Sequence, residues 1–245
     1  YYHIIPVELT QDEREEYIDL SYQISQQMHS SDLENNTLLK NLLIKRSRLL
    51  STASNKIIEL RRLLQNLEPS PFSLFYCGDG RVDEMDASSD DDNIRQIEQV
   101  LKVVNEYDWF ASKFTSEENK SERENILKNF KNGDIKSMVA IKCLDEGIDI
   151  PDCQRAFFLA SSNNPRQFIQ RRGRILRKSQ GKEYAHIFDF MVFIPHELST
   201  NDYDRKLLKT ELRRISEFTK LSENEIENYT KLRPILLDYE LEGLL

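Results

Sequence analysis

Cysteine is scarce in this sequence: its 245 residues include only Cys77, Cys143 and Cys153. Three scattered cysteines cannot build a disulfide framework, and without a Cys-x-x-Cys pair a structural zinc site is not expected. We therefore expect a reducing, intracellular (cytoplasmic) setting, with cytosol and nucleus not distinguished. No apolar run approaches the ~20 residues of a membrane span, and no signal-peptide pattern follows Tyr1. Because the first residue is not Met, we expect an internal piece of a longer protein.

Sequence signatures of nucleotide and metal binding are also missing. No G-x-x-x-x-G-K-[ST] loop occurs, and the one Gly-Lys pair, Gly181 with Lys182, is followed by Glu183. Without such a loop nothing in the chain can cradle a triphosphate. No D-E-x-[DH] box lies in a suitable strand, and the histidines form no H-E-x-x-H motif. We expect no metal site, and we expect this chain alone to be inactive as an ATPase.

Charge is distributed unevenly along the chain. The formal net charge is -8, and the segment Asp79–Asp92 holds seven acidic residues against the single basic residue Arg81. From Arg166 to Lys182, by contrast, every charged residue is positive. Since the local field decides anion binding, a basic groove is possible on an acidic molecule. The acidic segment lacks apolar content and is interpreted as a mobile surface insertion.

Short apolar runs alternate with amphipathic helices in the middle of the chain. The runs are Phe72–Cys77, Trp109–Phe114, Ser137–Ile141, Arg155–Ala160 and Ala185–Phe190, and the helices are about 93–106, 121–132 and 165–172. Strands and helices in turn are typical of a parallel sheet that is covered on both faces. The predicted fold class is therefore α/β, with a mostly parallel sheet.

Helical patterns flank this region. At the N-terminal side, a T-x-x-E capping box at Thr10 predicts a helix to about Met28, and helical spacing of leucines predicts one helix from Thr37 to Leu67. At the C-terminal side, Asp202–Lys220 is a predicted helix. The S-x-x-E box at Ser222 predicts another helix, and Pro234 is expected in the first turn of a short last one. We predict a helical arm or linker over 1–70, an α/β domain over 71–192 with an insertion at about 79–92, and a helical extension over 193–245.

The stretch Gln167–Arg177, QFIQRRGRILR, concentrates the chemistry. Its core is Gln170-x-x-Gly173-Arg174-x-x-Arg177, in which Gly173 is expected to allow a sharp turn near a helix end. Residues three apart on a helix share a side, so Arg174 and Arg177 can converge on one polyphosphate. The alternative is a solvated basic helix end.

Two stretches together resemble the motifs of superfamily 2 helicases. QRRGRILR resembles motif VI, and Leu144–Pro151, LDEGIDIP, resembles motif V. The resemblance covers about residues 72–190 and implies the second RecA-like domain of a helicase or translocase. Flanking features, including IFDF at Ile187–Phe190, are similar to restriction-enzyme motor subunits and Snf2-like translocases.

The resemblance implies roles for individual residues near ATP. Arg174 and Arg177 correspond to arginine fingers, which reach ATP and Mg²⁺ held mainly by the first RecA-like domain of the same protein. Five residues are implied to assist them: Gln170, Gly173, Gly147, Asp149 and Glu146. Gln170 orients phosphate or holds the loop, and at Gly147 the backbone comes close. Asp149 bonds the ribose or braces an arginine, and Glu146 tunes this network. For Asp149 a helix or turn cap remains the alternative.

Nucleic acid is the second partner that the resemblance implies, with DNA favoured over RNA. The residues implied to hold its backbone are Cys77, Gly78, Ser112, Thr115, Ser116 and Lys142. For Thr115 and Ser116, simple turn capping remains the alternative. Many relatives have Thr near position 141, where this chain has Ile141, so a phosphate contact there is expected to be lost or moved.

Two hypotheses for function remain. In the first, the chain is the second motor domain of an ATP-dependent nucleic-acid helicase or translocase. In the second, it is a non-catalytic nucleic-acid-binding or interaction module from a degenerate helicase. The first is favoured because a degenerate motor should lose its motif VI arginines, and both Arg174 and Arg177 are present.

Overall fold

A computed structural model describes residues 1–28, 36–78, 89–141, 153–160, 173, 175–176, 182–194, 202–241 and 243, with the backbone alone at 89–95 and 202–207. The strands are β1 (Tyr2–Val7), β2 (Ser73–Tyr76), β3 (Ala111–Phe114), β4 (Ser137–Ala140), β5 (Arg155–Phe158) and β6 (His186–Val192). The helices are α1 (Gln11–Gln27), α2 (Thr37–Thr52), α3 (Asn55–Leu64), α4 (Ser89–Glu106), α5 (Lys120–Asn132), α6 (Asp202–Lys220) and α7 (Glu225–Asp238).

The strands form one six-stranded sheet in the order β1-β6-β5-β2-β4-β3, and every neighbouring pair is parallel. The predicted α/β class with a parallel sheet is confirmed. Parallel strands all end on the same side, which we call the carboxyl edge. It is formed by the residues that follow the strands, 77–78, 115–116, 141, 159–160 and 193–194. Ligands of open α/β sheets bind at this edge.

Helices cover both faces of the sheet, as predicted. On one face, which we call the α4 face, α3 and α4 pack on alternate strand residues such as Phe75, Phe157 and Phe188. On the opposite face, the α5 face, α5, α6 and α7 pack on the intervening residues, such as Leu74 and Phe158. Successive strand side chains point to opposite faces, so strands this apolar are buried from both sides.

The N-terminal region differs from its prediction as a purely helical arm. β1 pairs with β6 along the edge of the sheet and was not predicted, although Tyr2 and Ile4 are buried in the α5-face core. The predicted helix from Thr37 to Leu67 is two helices, α2 and α3, which break at Ala53 and Ser54. The capping box at Thr10 is confirmed at the start of α1. The division of the chain into three domains stays a prediction.

The helices α1 and α2 form a hairpin beside the carboxyl edge. Leu9, which follows β1, and Ile194, which follows β6, pack with Tyr17 of α1 and Ala53 at the end of α2. Within the hairpin, buried Arg46 donates to Ser21 Oγ at 3.0 Å. The hairpin is therefore attached to the sheet at the side where the strands end.

The C-terminal helices belong to the core of the α5 face. Leu212 of α6 and Leu236 of α7 are fully buried there. The predicted span of α6 is confirmed, but α7 begins at Glu225 behind Asn224, whose side chain makes no capping bond. Instead Asn224 Oδ1 accepts from Tyr2 N at 2.9 Å and Nδ2 donates to Tyr2 O at 2.8 Å. The predicted position of Pro234 in a first turn is wrong, because it lies inside α7.

A buried ion pair joins this face to the sheet. Arg214 of α6 donates to Asp189 Oδ2 at 2.7 Å and pairs with Glu211 at 2.9 Å. Tyr2 Oη donates to the same Asp189 oxygen at 2.7 Å. Burial lowers the pKa of Arg214, but the two carboxylates more than offset this, so its pKa is raised. The network links β1, β6 and α6.

The predicted acidic insertion, Asp79–Asp92, overlaps α4, which begins at Ser89 rather than at Asn93. Its last four residues are therefore helical. Residues 79–88 lie outside the described part of the chain.

Candidate functional site

Most of the residues predicted to act near ATP lie outside the described residues. These are Arg174, Arg177, Gln170, Gly147, Asp149 and Glu146, together with Lys142 from the predicted nucleic-acid set. Their roles stay predictions. The structure places the remaining members, Gly173, Cys77, Gly78, Ser112, Thr115 and Ser116.

Gly173 lies in helical conformation, so the expected sharp backbone turn at this residue is wrong. Its φ is not positive, and a Cβ built there would meet no atom within 4 Å. Ile175, two residues later, is fully buried in the α5-face core, whereas Leu176 is exposed. Lys182 Nζ donates to the Ile175 carbonyl. Ile175 thus belongs to the core of the domain.

Cys77 and Gly78 follow β2 at the carboxyl edge, but their polar groups are occupied within the chain. Cys77 N donates to Ala140 O at 2.9 Å. The Cys77 side chain is buried, and burial raises the pKa of its thiol well above the usual value. Gly78 N donates to Gln96 Oε1 at 3.1 Å in a buried contact. A phosphate contact through this amide would have to displace Gln96.

Thr115 and Ser116 follow β3, at the same edge. The Thr115 hydroxyl donates to Glu118 Oε2 at 2.9 Å and accepts from Glu117 N at 3.1 Å. The Thr115 hydroxyl therefore both donates and accepts a hydrogen bond within the turn. This arrangement corresponds to the turn-capping alternative for Thr115. Ser116 is exposed. Ser112 lies within β3 rather than at its end, so the carboxyl edge does not include it.

A buried polar cluster that sequence reasoning missed lies beneath this edge. Lys56 Nζ donates to the carbonyl oxygens of Leu159, at 2.6 Å, and Ser51, at 3.1 Å. Gln96 Nε2 donates to the same Ser51 oxygen at 2.9 Å. Burial lowers the pKa of Lys56 to about 8. From the sequence, a lysine or a glutamine on a helix is expected to face solvent. Only the tertiary contacts of Lys56 and Gln96 could therefore reveal the cluster.

Within the described part of the chain, no group of three or more His, Cys, Asp or Glu side chains could hold a metal ion. No described helix is long and apolar enough to cross a membrane.

Comparison with known proteins finds helicase relatives. Residues 89–179 match the family model described as helicase conserved C-terminal domain. The chain is 45% identical over 64 residues, 26% of its length, to "DNA 3'-5' translocase XPB2" of Sulfurisphaera tokodaii. It is 28% identical over 140 residues, 57% of its length, to "Probable ATP-dependent RNA helicase ddx49" of Dictyostelium discoideum.

Solved structures share the fold. The C-terminal part of the Fun30 ATPase domain superposes with a TM-score of 0.51 at 13% identity, covering 85% of this chain and 87% of that one. The matched segments make up 15% of the translocase and 26% of the RNA helicase. The chain therefore corresponds to a minor part of these relatives.

Proposed function

We propose that this chain is the second motor domain of an ATP-dependent enzyme that moves on nucleic acid. The observation that carries the proposal is the family match over 89–179, which includes both the LDEGIDIP and the QRRGRILR stretches. These stretches belong to a chain whose parallel sheet has the form expected of such a domain.

Arg174 and Arg177 are the proposed arginine fingers. The chain has no phosphate-binding loop and no strand-borne acidic box, so ATP and Mg²⁺ are assigned mainly to a first RecA-like domain of the same protein. Two planar guanidinium groups suit the oxygens of a polyphosphate. Charge that develops on the phosphates in the transition state is stabilised by such a residue, which is worth ~10³–10⁵ in rate. The position of Ile175 supports the proposal, since this residue lies between the two arginines in sequence and is buried in the core.

The remaining proposed ATP-side residues assist these arginines. Gln170 orients phosphate or holds the loop, and Asp149 bonds the ribose or braces an arginine. Gly147 lets the backbone approach closely, and Glu146 tunes the network. Gly173 is open to solvent and would leave room for an approaching group. The isolated chain is proposed to be inactive, because it supplies only this half of the site.

Nucleic acid is proposed to lie across the carboxyl edge. Lys142 and Ser116 are the proposed direct contacts; Ser116 is exposed, and Thr115 shapes the turn that presents it. Phosphate contacts of this kind fix the position of a duplex without reading its sequence. DNA is favoured over RNA because the relative named a DNA translocase is 45% identical, whereas the relative named an RNA helicase is 28% identical.

Substitution of the two arginines in the full-length protein tests this function. Arg174→Ala and Arg177→Ala should each lower nucleic-acid-stimulated ATP turnover by ~10³ or more, because they remove transition-state contacts. The melting temperature should not change. Arg166→Ala is the matched control outside the motif core, and it should leave turnover near the wild-type value. Near wild-type turnover in both finger variants, with lost nucleic-acid affinity, would favour the non-catalytic interaction module instead.

A further inference from the structure

Lys56 of α3 is a buried cation beneath the carboxyl edge. The residue is 2% exposed, and its Nζ donates to Leu159 O and Ser51 O. The ion pairs formed among the described residues do not include it. Burying an ammonium group without a counter-charge is costly, and an apolar side chain of similar volume would fill the space more favourably. Packing alone therefore does not account for a lysine here.

The end of α2 offers a local reason why the charge is tolerated. Ser51 lies in the last turn of α2, where carbonyl groups have no partner within the helix. The C-terminus of a helix also carries a partial negative charge that favours a cation. Lys56 thus sits where a buried ammonium group costs least, directly after the break between α2 and α3.

Gln96 of α4 forms the second arm of the same cluster. It is 4% exposed, and its Nε2 donates to the Ser51 oxygen that also accepts from Lys56. Its Oε1 accepts from Gly78 N. Through Lys56 and Gln96, one carbonyl group at the end of α2 therefore connects α3, α4 and Gly78 after β2.

The two arms end on neighbouring loops of the carboxyl edge. Gly78 is the second residue after β2, and Leu159 is the first residue after β5. These strands are adjacent in the sheet, and Leu159 N donates to Tyr76 O at 2.9 Å. The chain that continues from Leu159 leads, in sequence, to Arg174 and Arg177. Gly78 belongs to the set predicted to hold nucleic acid.

We propose that Lys56 and Gln96 are positioning residues, which hold the first residues of the loops after β2 and β5 in the geometry that nucleic-acid-stimulated ATP hydrolysis needs. The proposal rests on the proposed function. Neither side chain touches a substrate, because both are buried and act through backbone groups of Gly78 and Leu159. Since ATP is assigned mainly to the other domain, loss of either arm should lower kcat and leave the KM for ATP unchanged.

Four variants of the full-length protein test this role. Lys56→Met and Gln96→Leu remove the two arms, and exposed Lys231→Met and Gln65→Leu are matched controls on α7 and just after α3. Misplacement of a loop far from the chemistry can be expensive, so kcat at saturating nucleic acid should fall by about tenfold or more in the first two variants. The KM for ATP should stay at its wild-type value in the first two variants, both controls should match the wild type, and every variant should remain folded at the assay temperature.

A fifth variant, Gln96→Glu, keeps the test decisive if a larger change prevents folding. The carboxylate still accepts from Gly78 N and offers Lys56 a counter-charge, but it can no longer donate to Ser51 O. Its kcat should lie between those of the wild type and Gln96→Leu. If kcat in both Lys56→Met and Gln96→Glu is indistinguishable from wild type, the positioning role is overturned.

Arg174→Ala, measured alongside, separates the two possible failures. Lost turnover in Arg174→Ala with full turnover in Lys56→Met refutes the positioning role alone. The reverse result refutes the proposed arginine fingers and leaves the positioning role supported. Full turnover in both variants refutes both proposals.

Discussion

Two buried cations lie on opposite faces of the same sheet, and their surroundings differ. Arg214, on the α5 face, contacts the carboxylates of Asp189 and Glu211, and its pKa is raised. Lys56, on the α4 face, contacts only carbonyl oxygens through Nζ, and burial lowers its pKa to about 8. The charge of Arg214 is thus neutralised by carboxylates, whereas the charge of Lys56 is stabilised only by carbonyl dipoles.

The different surroundings of Arg214 and Lys56 indicate a structural role for the first residue and a functional role for the second. Arg214 joins α6 to β6, and with Tyr2 it also fastens β1, so its contacts lie within the core. Lys56 contacts backbone groups at the carboxyl edge, where ligands of such sheets bind. We therefore expect Arg214 to govern stability and Lys56 to govern activity.

The largest expected effect on stability is at Arg214. Arg214→Met leaves Asp189 buried without its counter-charge, and breaking a buried pair in this way costs about 3–5 kcal/mol. Urea denaturation of the chain should show the corresponding loss in the free energy of unfolding. The double variant Asp189→Leu with Arg214→Met should recover part of it, since the uncompensated charge of Asp189 is removed while the Tyr2 hydroxyl loses its acceptor. An equal loss in the double variant would show that packing, rather than charge, sets the cost.

A smaller effect is expected at Tyr2, the third member of that network. Tyr2→Phe removes a buried hydrogen bond to a charged group, which is worth about 1.5–3 kcal/mol. The same denaturation experiment measures it. Because Tyr2 contacts Asp189 directly, the costs of Tyr2→Phe and Arg214→Met should not add. Strict additivity of the two costs would contradict a shared network.

The smallest effect concerns the pH dependence that Lys56 contributes. Its folded pKa of about 8 lies below the unfolded value near 10.5, so between these values the unfolded chain binds more protons and stability rises with pH. From pH 7 to pH 9 this contribution is about 1 kcal/mol. This rise in stability with pH should be present in the wild type and missing in Lys56→Met.

Because burial raises the pKa of Cys77 and of Tyr2, those two groups lower the stability of the folded chain as the pH rises and so oppose the contribution of Lys56 at high pH. The difference between the two proteins, rather than either curve alone, is therefore the measurement. Identical slopes would show that Lys56 is not buried as described.

The strands of the sheet interior were predictable because their sequence pattern is local. Runs such as Ser73–Tyr76 are apolar on both faces and are separated by helices of ordinary length. β1 was missed because Pro6 interrupts its apolar pattern, and proline usually argues against a central strand. At the edge of the sheet a residue without an N–H is tolerated, and β1 has that position.

Other differences arose where tertiary contacts outweighed local signals. The capping box at Thr10 forms even though Glu13 Oε1 also accepts from Ser54 N at 2.8 Å, because the other carboxylate oxygen of Glu13 accepts from Thr10 N. At the start of α7, Asn224 instead bonds the backbone of Tyr2, more than two hundred residues away in sequence. The break between α2 and α3 contains no glycine or proline, and Lys56 and Gln96 satisfy the carbonyl at the end of α2. No local pattern contains these contacts.

The sequence was sufficient to identify the family to which the candidate site belongs, but not the contacts that its residues make. The spacing of Gln170, Gly173, Arg174 and Arg177 indicated the family, and the family match over 89–179 supports that identification. The amide of Gly78 is occupied by Gln96, and Ile175 packs among core residues of other elements. Those partners are distant in sequence, so the pattern could not reveal them.

The most direct test of the central claim is the single-turnover rate of ATP hydrolysis by full-length Arg174→Lys at saturating nucleic acid. Lysine keeps the positive charge but loses the planar fork that bonds two phosphate oxygens together. We expect a rate close to that of Arg174→Ala, with wild-type affinity for nucleic acid. A wild-type rate in Arg174→Lys, combined with weakened nucleic-acid binding in Arg174→Ala, would contradict the finger role and identify Arg174 as a nucleic-acid contact.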